Sequence, residues 1–84
     1  MEDNMTYEER ANFDKLDFYW KEKIKVHLIL KRTNENGKHI FLNGSIKEKI
    51  NDRLWVIEEK VLGEVRVSIS EILNDGVFEM EEKK

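Results

Sequence analysis

The sequence predicts a mainly β fold: an N-terminal α-helix followed by five antiparallel strands, bent strongly into a small barrel. Three observations carry this expectation. From Lys23 onward apolar and polar residues alternate, with Ile24, Val26, Leu28 and Leu30 two apart on one strand face and Lys23, Lys25 and His27 on the other. Turn-forming residues recur at Asn36-Gly37, Asn51-Asp52, Gly63 and Asn74-Asp75-Gly76, leaving room only for short strands between them. Gly44 takes an inward position in the longest strand, where a missing side chain permits a sharp bend or bulge.

The elements follow in order. Thr6-Tyr7-Glu8-Glu9 fits a capping box, in which the Thr6 hydroxyl accepts from the Glu9 amide while Glu9 reaches back. No Gly or Pro interrupts the next stretch, so a helix is expected over about 6–21. Its Phe13, Leu16 and Trp20, spaced i, i+3, i+7, would lie across an open end of the barrel. The first strand is expected at Lys23–Lys31, and the polar loop Arg32 to Lys38 reverses the chain. The second strand, His39–Lys49, carries Ile40, Leu42, Gly44 and Ile46 on one face. After a turn at Ile50-Asn51-Asp52, the third strand, Arg53–Glu59, is expected to point Leu54 and Val56 inward and Trp55 and Ile57 to the opposite face. The fourth strand, Glu64–Ser68, alternates Val65, Val67 and Ile69 against Glu64, Arg66 and Ser68. Ser70-Glu71-Ile72-Leu73 reads as a single helical turn, Asn74-Asp75-Gly76 as another turn, and Val77–Glu81 as a fifth strand. The barrel then spans about 22–81 of a single domain, 1–84, with 82–84 frayed.

An 84-residue chain buries only about 60–65% of the surface its unfolded form exposes, so its core is small. There is no cysteine, hence no disulfide or thiolate metal site to reinforce it. The net charge of −3 argues against indiscriminate polyanion binding, yet it is unevenly spread: −4 over residues 1–20, +5 over 21–53 and −4 over 54–84. The positive segment coincides with the first three strands. No apolar run is long enough to span a bilayer, and Met1-Glu2-Asp3-Asn4 is acidic with no apolar stretch behind it, so a cytoplasmic protein without membrane attachment is expected.

Leu16 through Leu73 resembles the Sm/Lsm superfamily, including its Hfq-related branch. The resemblance is carried by Lys23-Ile24-Lys25-Val26-His27-Leu28, Asn36-Gly37, Gly44-Ser45-Ile46, Leu54-Trp55-Val56-Ile57 and Ile69-Ser70-Glu71-Ile72. It implies a barrel of Sm-like (SH3-like) type, with no catalysis and no cofactor. It further implies a homo-oligomeric ring that binds single-stranded RNA, U- or A-rich, near its pore. The turn residues Asn51, Asp52 and Arg53 fall where the family has a base-binding pocket. Arg66 and Ser68 lie near its second loop, and Lys49 extends the basic surface. The chain departs from the family in four places. Six residues rather than about four separate the turn Gly37 from Gly44, and the family's Asp-x-x-hydrophobic-Asn in the second turn is replaced by Asn51-Asp52-Arg53-Leu54-Trp55. Arg66-Val67 stands where the Hfq-related branch has Lys-His, and the Arg-Gly of Sm proteins is absent.

Read on their own chemistry, Asn51 and Asp52 suit base edges and Arg53 suits stacking or phosphate, although Asn-Asp also favours an ordinary polar turn. His27 and His39 lack the spacing of a metal site. No nucleophile stands beside a base in a known motif. With Trp55 and Ile57 outward, and Phe41, Phe78 and Met80 added, more apolar surface is expected than one short helix covers. That predicts self-association, with the edge strands four and five joining copies head to tail. The competing function is a protein-interaction or structural module that uses the same barrel without nucleic acid.

Overall fold

The computed structural model describes residues 5–80. The helix starts as its cap dictates: Thr6 Oγ1 accepts from the Glu9 amide at 3.1 Å, and the Glu9 carboxylate accepts from the Thr6 amide at 3.1 Å. Such a cap contributes about 1 kcal/mol. From it α1 runs Tyr7–Glu22 and ends at Lys23, which adopts a left-handed conformation (φ 59°) and donates its amide to the Trp20 and Tyr19 carbonyls. The strands are β1 (Val26–Thr33), β2 (His39–Asn51), β3 (Leu54–Glu59), β4 (Gly63–Ser68) and β5 (Ile72–Glu79), with a 3-10 turn at Ile69–Glu71 between the last two. Glu81, the end of the expected fifth strand, and the expected fraying at 82–84 lie outside the described residues. No helix among the described residues is long and apolar enough to cross a membrane.

All five strands join one antiparallel sheet in the order β4-β3-β2-β1-β5. β2 serves two neighbours in succession. Residues 39–44 pair with β1 and residues 44–51 with β3, and Gly44 stands opposite both Val26 and Glu59. A strand that changes partner midway bends the sheet back on itself, and this is the strong bend the sequence predicts. The sheet does not close, so β4 and β5 remain its two edges. Inside the bend, Leu16 of α1 joins a fully buried cluster with Val26, Leu28 and Leu30 of β1, Trp55 and Ile57 of β3 and Val67 of β4.

Two details differ from expectation. Trp55 and Ile57, expected on the face away from the core, are fully buried in it, whereas Leu54 is only half-buried. Val56 is buried as expected (5% exposed), so β3 buries side chains on both faces and its core-cluster face is the one carrying Trp55 and Ile57. The cause lies in the register. Lys47 and Ile50 sit at bulges, so the alternation of β2 does not carry through the turn into β3. Leu54-Trp55-Val56-Ile57 is apolar at every position, and period two alone does not choose its inner face. The helix chooses it: the Phe13 and Trp20 rings stand edge-on to Trp55, with centroids 6.0 and 5.9 Å away. Two of the apolar groups behind the expected self-association are thereby covered within the chain. Phe41 and Phe78 stay exposed, and Met80 is half-buried.

The second difference is at β5, which begins at Ile72, five residues earlier than expected. Leu30 pairs with Ile72 and Leu28 with Val77, so two steps along β1 match five along β5. Asn74-Asp75-Gly76 is therefore an excursion within the strand, with Asp75 at φ 58°, rather than a turn before it.

Candidate functional site

The residues singled out in the sequence meet at one end of the sheet. Asn51 Oδ1 accepts from the amides of Arg53 (2.8 Å) and Leu54 (2.9 Å), a turn in which the side chain stands in for backbone. Leu54 pairs with Ser68, and the Ile69 amide donates to the Arg53 carbonyl at 2.8 Å, which brings the β2–β3 turn beside the end of β4. Ser68 caps the 3-10 turn: its Oγ accepts from the Ser70 amide at 3.3 Å and lies 3.0 Å from Ser70 Oγ. Arg66, opposite Val56 and exposed on edge strand β4, stands two residues from this cluster.

Much of the cluster's chemistry is engaged within the chain. Arg53 Nη1 lies 3.6 Å from Glu9 Oε1, although the Arg53 side chain is still 44% exposed. Lys49 is drawn inward more completely. Its Nζ sits 4.8, 5.5 and 5.8 Å from the ring centroids of Phe13, Trp55 and Trp20, with Asp17 Oδ1 at 3.4 Å and Asp52 Oδ1 at 3.5 Å. An ammonium held over ring faces gains about 0.5–2 kcal/mol per well-desolvated contact, so Lys49 ties β2 to α1. Lys21 first, and then Lys49, hold the Asp17 carboxyl below its usual range. Asp52 and Arg66 therefore project from the cluster most freely, with Arg53 partly engaged. On β2, Lys47 reaches across to pair with Glu64.

A carboxylate that the sequence did not single out organises the opposite end. Glu59 is only 7% exposed and accepts from the amides of Asn43 (3.0 Å), Val61 (2.7 Å) and Leu62 (2.8 Å). Those donors, that of Asn43 foremost, hold its carboxyl below the usual 4.5. They also fix the β3–β4 turn, which leaves Val61 and Leu62 exposed at its tip. A depressed carboxylate pKa contributes stability that is present above pH 4.5 and lost as pH falls through the folded-state value, because the unfolded chain binds the proton first. Glu59→Gln is expected to lower the melting temperature at pH 7 and to flatten the acid limb as pH falls below 4.5. Thermal melts across that range check it, and an unchanged acid slope would count against this role. A residual slope is expected from Asp17 and Glu64, which are also held low.

The outer face of β5, β1 and β2 carries a row of three rings. His27 stands between Phe41 (centroids 5.1 Å apart) and Phe78 (6.2 Å). Its Nδ1 pairs with Asn43 Oδ1 at 2.5 Å, while His39 Nδ1 donates to the Leu30 carbonyl at 2.9 Å. Both histidines are thus occupied with neighbours on the sheet. Comparison of the chain with family models, curated proteins and solved structures finds no match.

Proposed function

We propose that this chain is a non-catalytic RNA-binding module of Sm-like type, acting in the cytoplasm as a homo-oligomer and holding single-stranded RNA at the β2–β3 turn cluster. The observation that supports it is the meeting of Asn51, Asp52 and Arg53 with Ser68, two segments distant in sequence, beside the exposed Arg66. The open edges β4 and β5 supply backbone groups through which copies could join. Lys49 is committed to the helix, so Arg66 and Arg53 are the cations that would meet phosphate or stack on a base. Arg53→Ala with Arg66→Ala is expected to weaken binding of short U- or A-rich RNA and to reduce its log–log salt slope by about 1.4, the share of two single-strand phosphate contacts. Fluorescence anisotropy over a salt series measures this, alongside light scattering with and without RNA for the assembly mass. Unchanged, salt-independent binding would sink the model.

The second reading is a protein-interaction module that binds no nucleic acid. The turn that Glu59 holds supports it, because Val61 (80% exposed) and Leu62 (65% exposed) are presented to solvent on a fixed backbone. A stable oligomer that binds no RNA at low salt would select it.

A further inference from the structure

We infer that the outer face of β5, β1 and β2 is a base-stacking platform for single-stranded nucleic acid, separate from the turn cluster. Val26, Leu28 and Leu30 of β1 are fully buried, so His27 and Ile29 point to the opposite face. There His27 is paired with Phe78 across β5, and Ile29 with Phe41 across β2. The result is an aromatic row crossing three adjacent strands, with Phe41 55% and Phe78 44% exposed. Large rings left in water on a regular sheet present π-faces on which bases of any sequence stack.

The row is held in place before any ligand arrives. β1 is hydrogen-bonded on both sides. His27 is tied to the Asn43 side chain, and the Asn43 backbone is tied in turn to the Glu59 carboxylate (3.0 Å) and to the Lys60 amide (3.0 Å). The charge around the row suits a polyanion. Lys25, just before β1, and Lys31 within it are both exposed, so a cation lies on either side of the row along the chain. The outward positions of β2 beside β1, His39, Phe41 and Asn43, carry no carboxylate. Glu79 of β5 neighbours Phe78 in sequence but stands opposite the buried Val26, on the other face of the sheet. Aromatic faces with lysines on either side fit stacked bases with phosphates at the margin. The exposed carboxylates Asp75, in the β5 excursion, and Glu58, opposite Ser45, bound the surface on which a polyanion would lie. The turn cluster lies at the far end of β2, so the two surfaces are separable by mutation.

Two paired substitutions discriminate base stacking from a merely apolar contact. Phe41→Leu with Phe78→Leu keeps apolar area and removes the π-faces, whereas Phe41→Tyr with Phe78→Tyr keeps both. Binding of labelled oligo-U RNA and oligo-dT DNA, each about 12 nucleotides long, is read by anisotropy at low salt on the full chain. The leucine pair is expected to lose roughly tenfold or more in affinity for both oligonucleotides, and the tyrosine pair to stay within about twofold of the parent chain. Both rings are exposed, so circular dichroism melts should be unchanged and any loss can be assigned to the surface. Undiminished binding by the leucine pair overturns the platform, as does a parent chain that binds neither oligonucleotide. Loss in Arg53→Ala with Arg66→Ala but not in the leucine pair overturns it too, while leaving the turn-cluster proposal standing.

Discussion

Gly44→Ala is expected to destabilise the domain by about 3 kcal/mol or more, and a chain of this size has only roughly 4–13 kcal/mol to lose. Gly44 is the residue at which β2 leaves β1 for β3. A Cβ there would fall well inside contact distance of the Glu58 carbonyl oxygen, 2.8 Å from the Glu58 carbonyl carbon and 3.0 Å from Glu59 Cα. All three are backbone atoms of a paired strand, so no side chain can swing aside. Relief requires β3 to separate from β2 at the bend, which loosens the Glu59 carboxylate from the Asn43 amide as well. Urea denaturation followed by far-UV circular dichroism measures the change, and a loss below about 0.5 kcal/mol would refute this account of the bend.

Trp55→Ala is expected to cost about 3–5 kcal/mol, the range for emptying a large aromatic site in a core. Trp55 is fully buried and meets Phe13 and Trp20 edge-on, with the Lys49 ammonium 5.5 Å from its ring centroid. Removing it takes away the floor on which the helix lies and one face of the site that holds Lys49. Trp55→Phe separates ring packing from the indole's polar group. The buried Trp55 Nε1 has no hydrogen-bond partner in the structure, and such an orphaned donor costs about 1–3 kcal/mol. Phenylalanine removes that penalty while losing volume, so a net change of only about 1 kcal/mol is expected. Equilibrium unfolding of both variants tests this; equal losses in the two would show that ring packing is not what matters at position 55.

The helix and its cap were legible because their determinants are adjacent in sequence: Thr6 and Glu9 lie three residues apart, and each bond observed joins those two. The bend at Gly44 was legible because a glycine at an inward strand position has few other uses. The turn cluster was half legible. Asn51-Asp52-Arg53 marks a turn by composition, and its neighbour Ser68 follows from strand order, whereas the state of its charges does not. Lys49 read as one more surface cation because the three rings around it come from positions 13, 20 and 55. Glu59 stood out in the sequence only as the end of the third strand, since only the folded β3–β4 turn directs two amides at it. Asn12, a weak helix former by propensity, is buried and donates to the Leu73 carbonyl at 3.1 Å, a contact across 61 residues that no local pattern signals.

The sequence by itself determined the order of elements, the helix start, the reversals and the alternating faces of β1, because these follow from interactions within a few residues of one another. Only the tertiary structure decided the inner face of β3, the start of β5, the capture of Lys49 and the row of rings on the outer sheet. The physical reason is shared. Bulges at Lys47, Ile50 and Asn74–Gly76 shift registers that period two assumes unbroken, and the docked helix then selects which of two apolar faces joins the core cluster. Both are settled by contacts between segments far apart in the chain, where side-chain packing and backbone pairing outweigh any local preference.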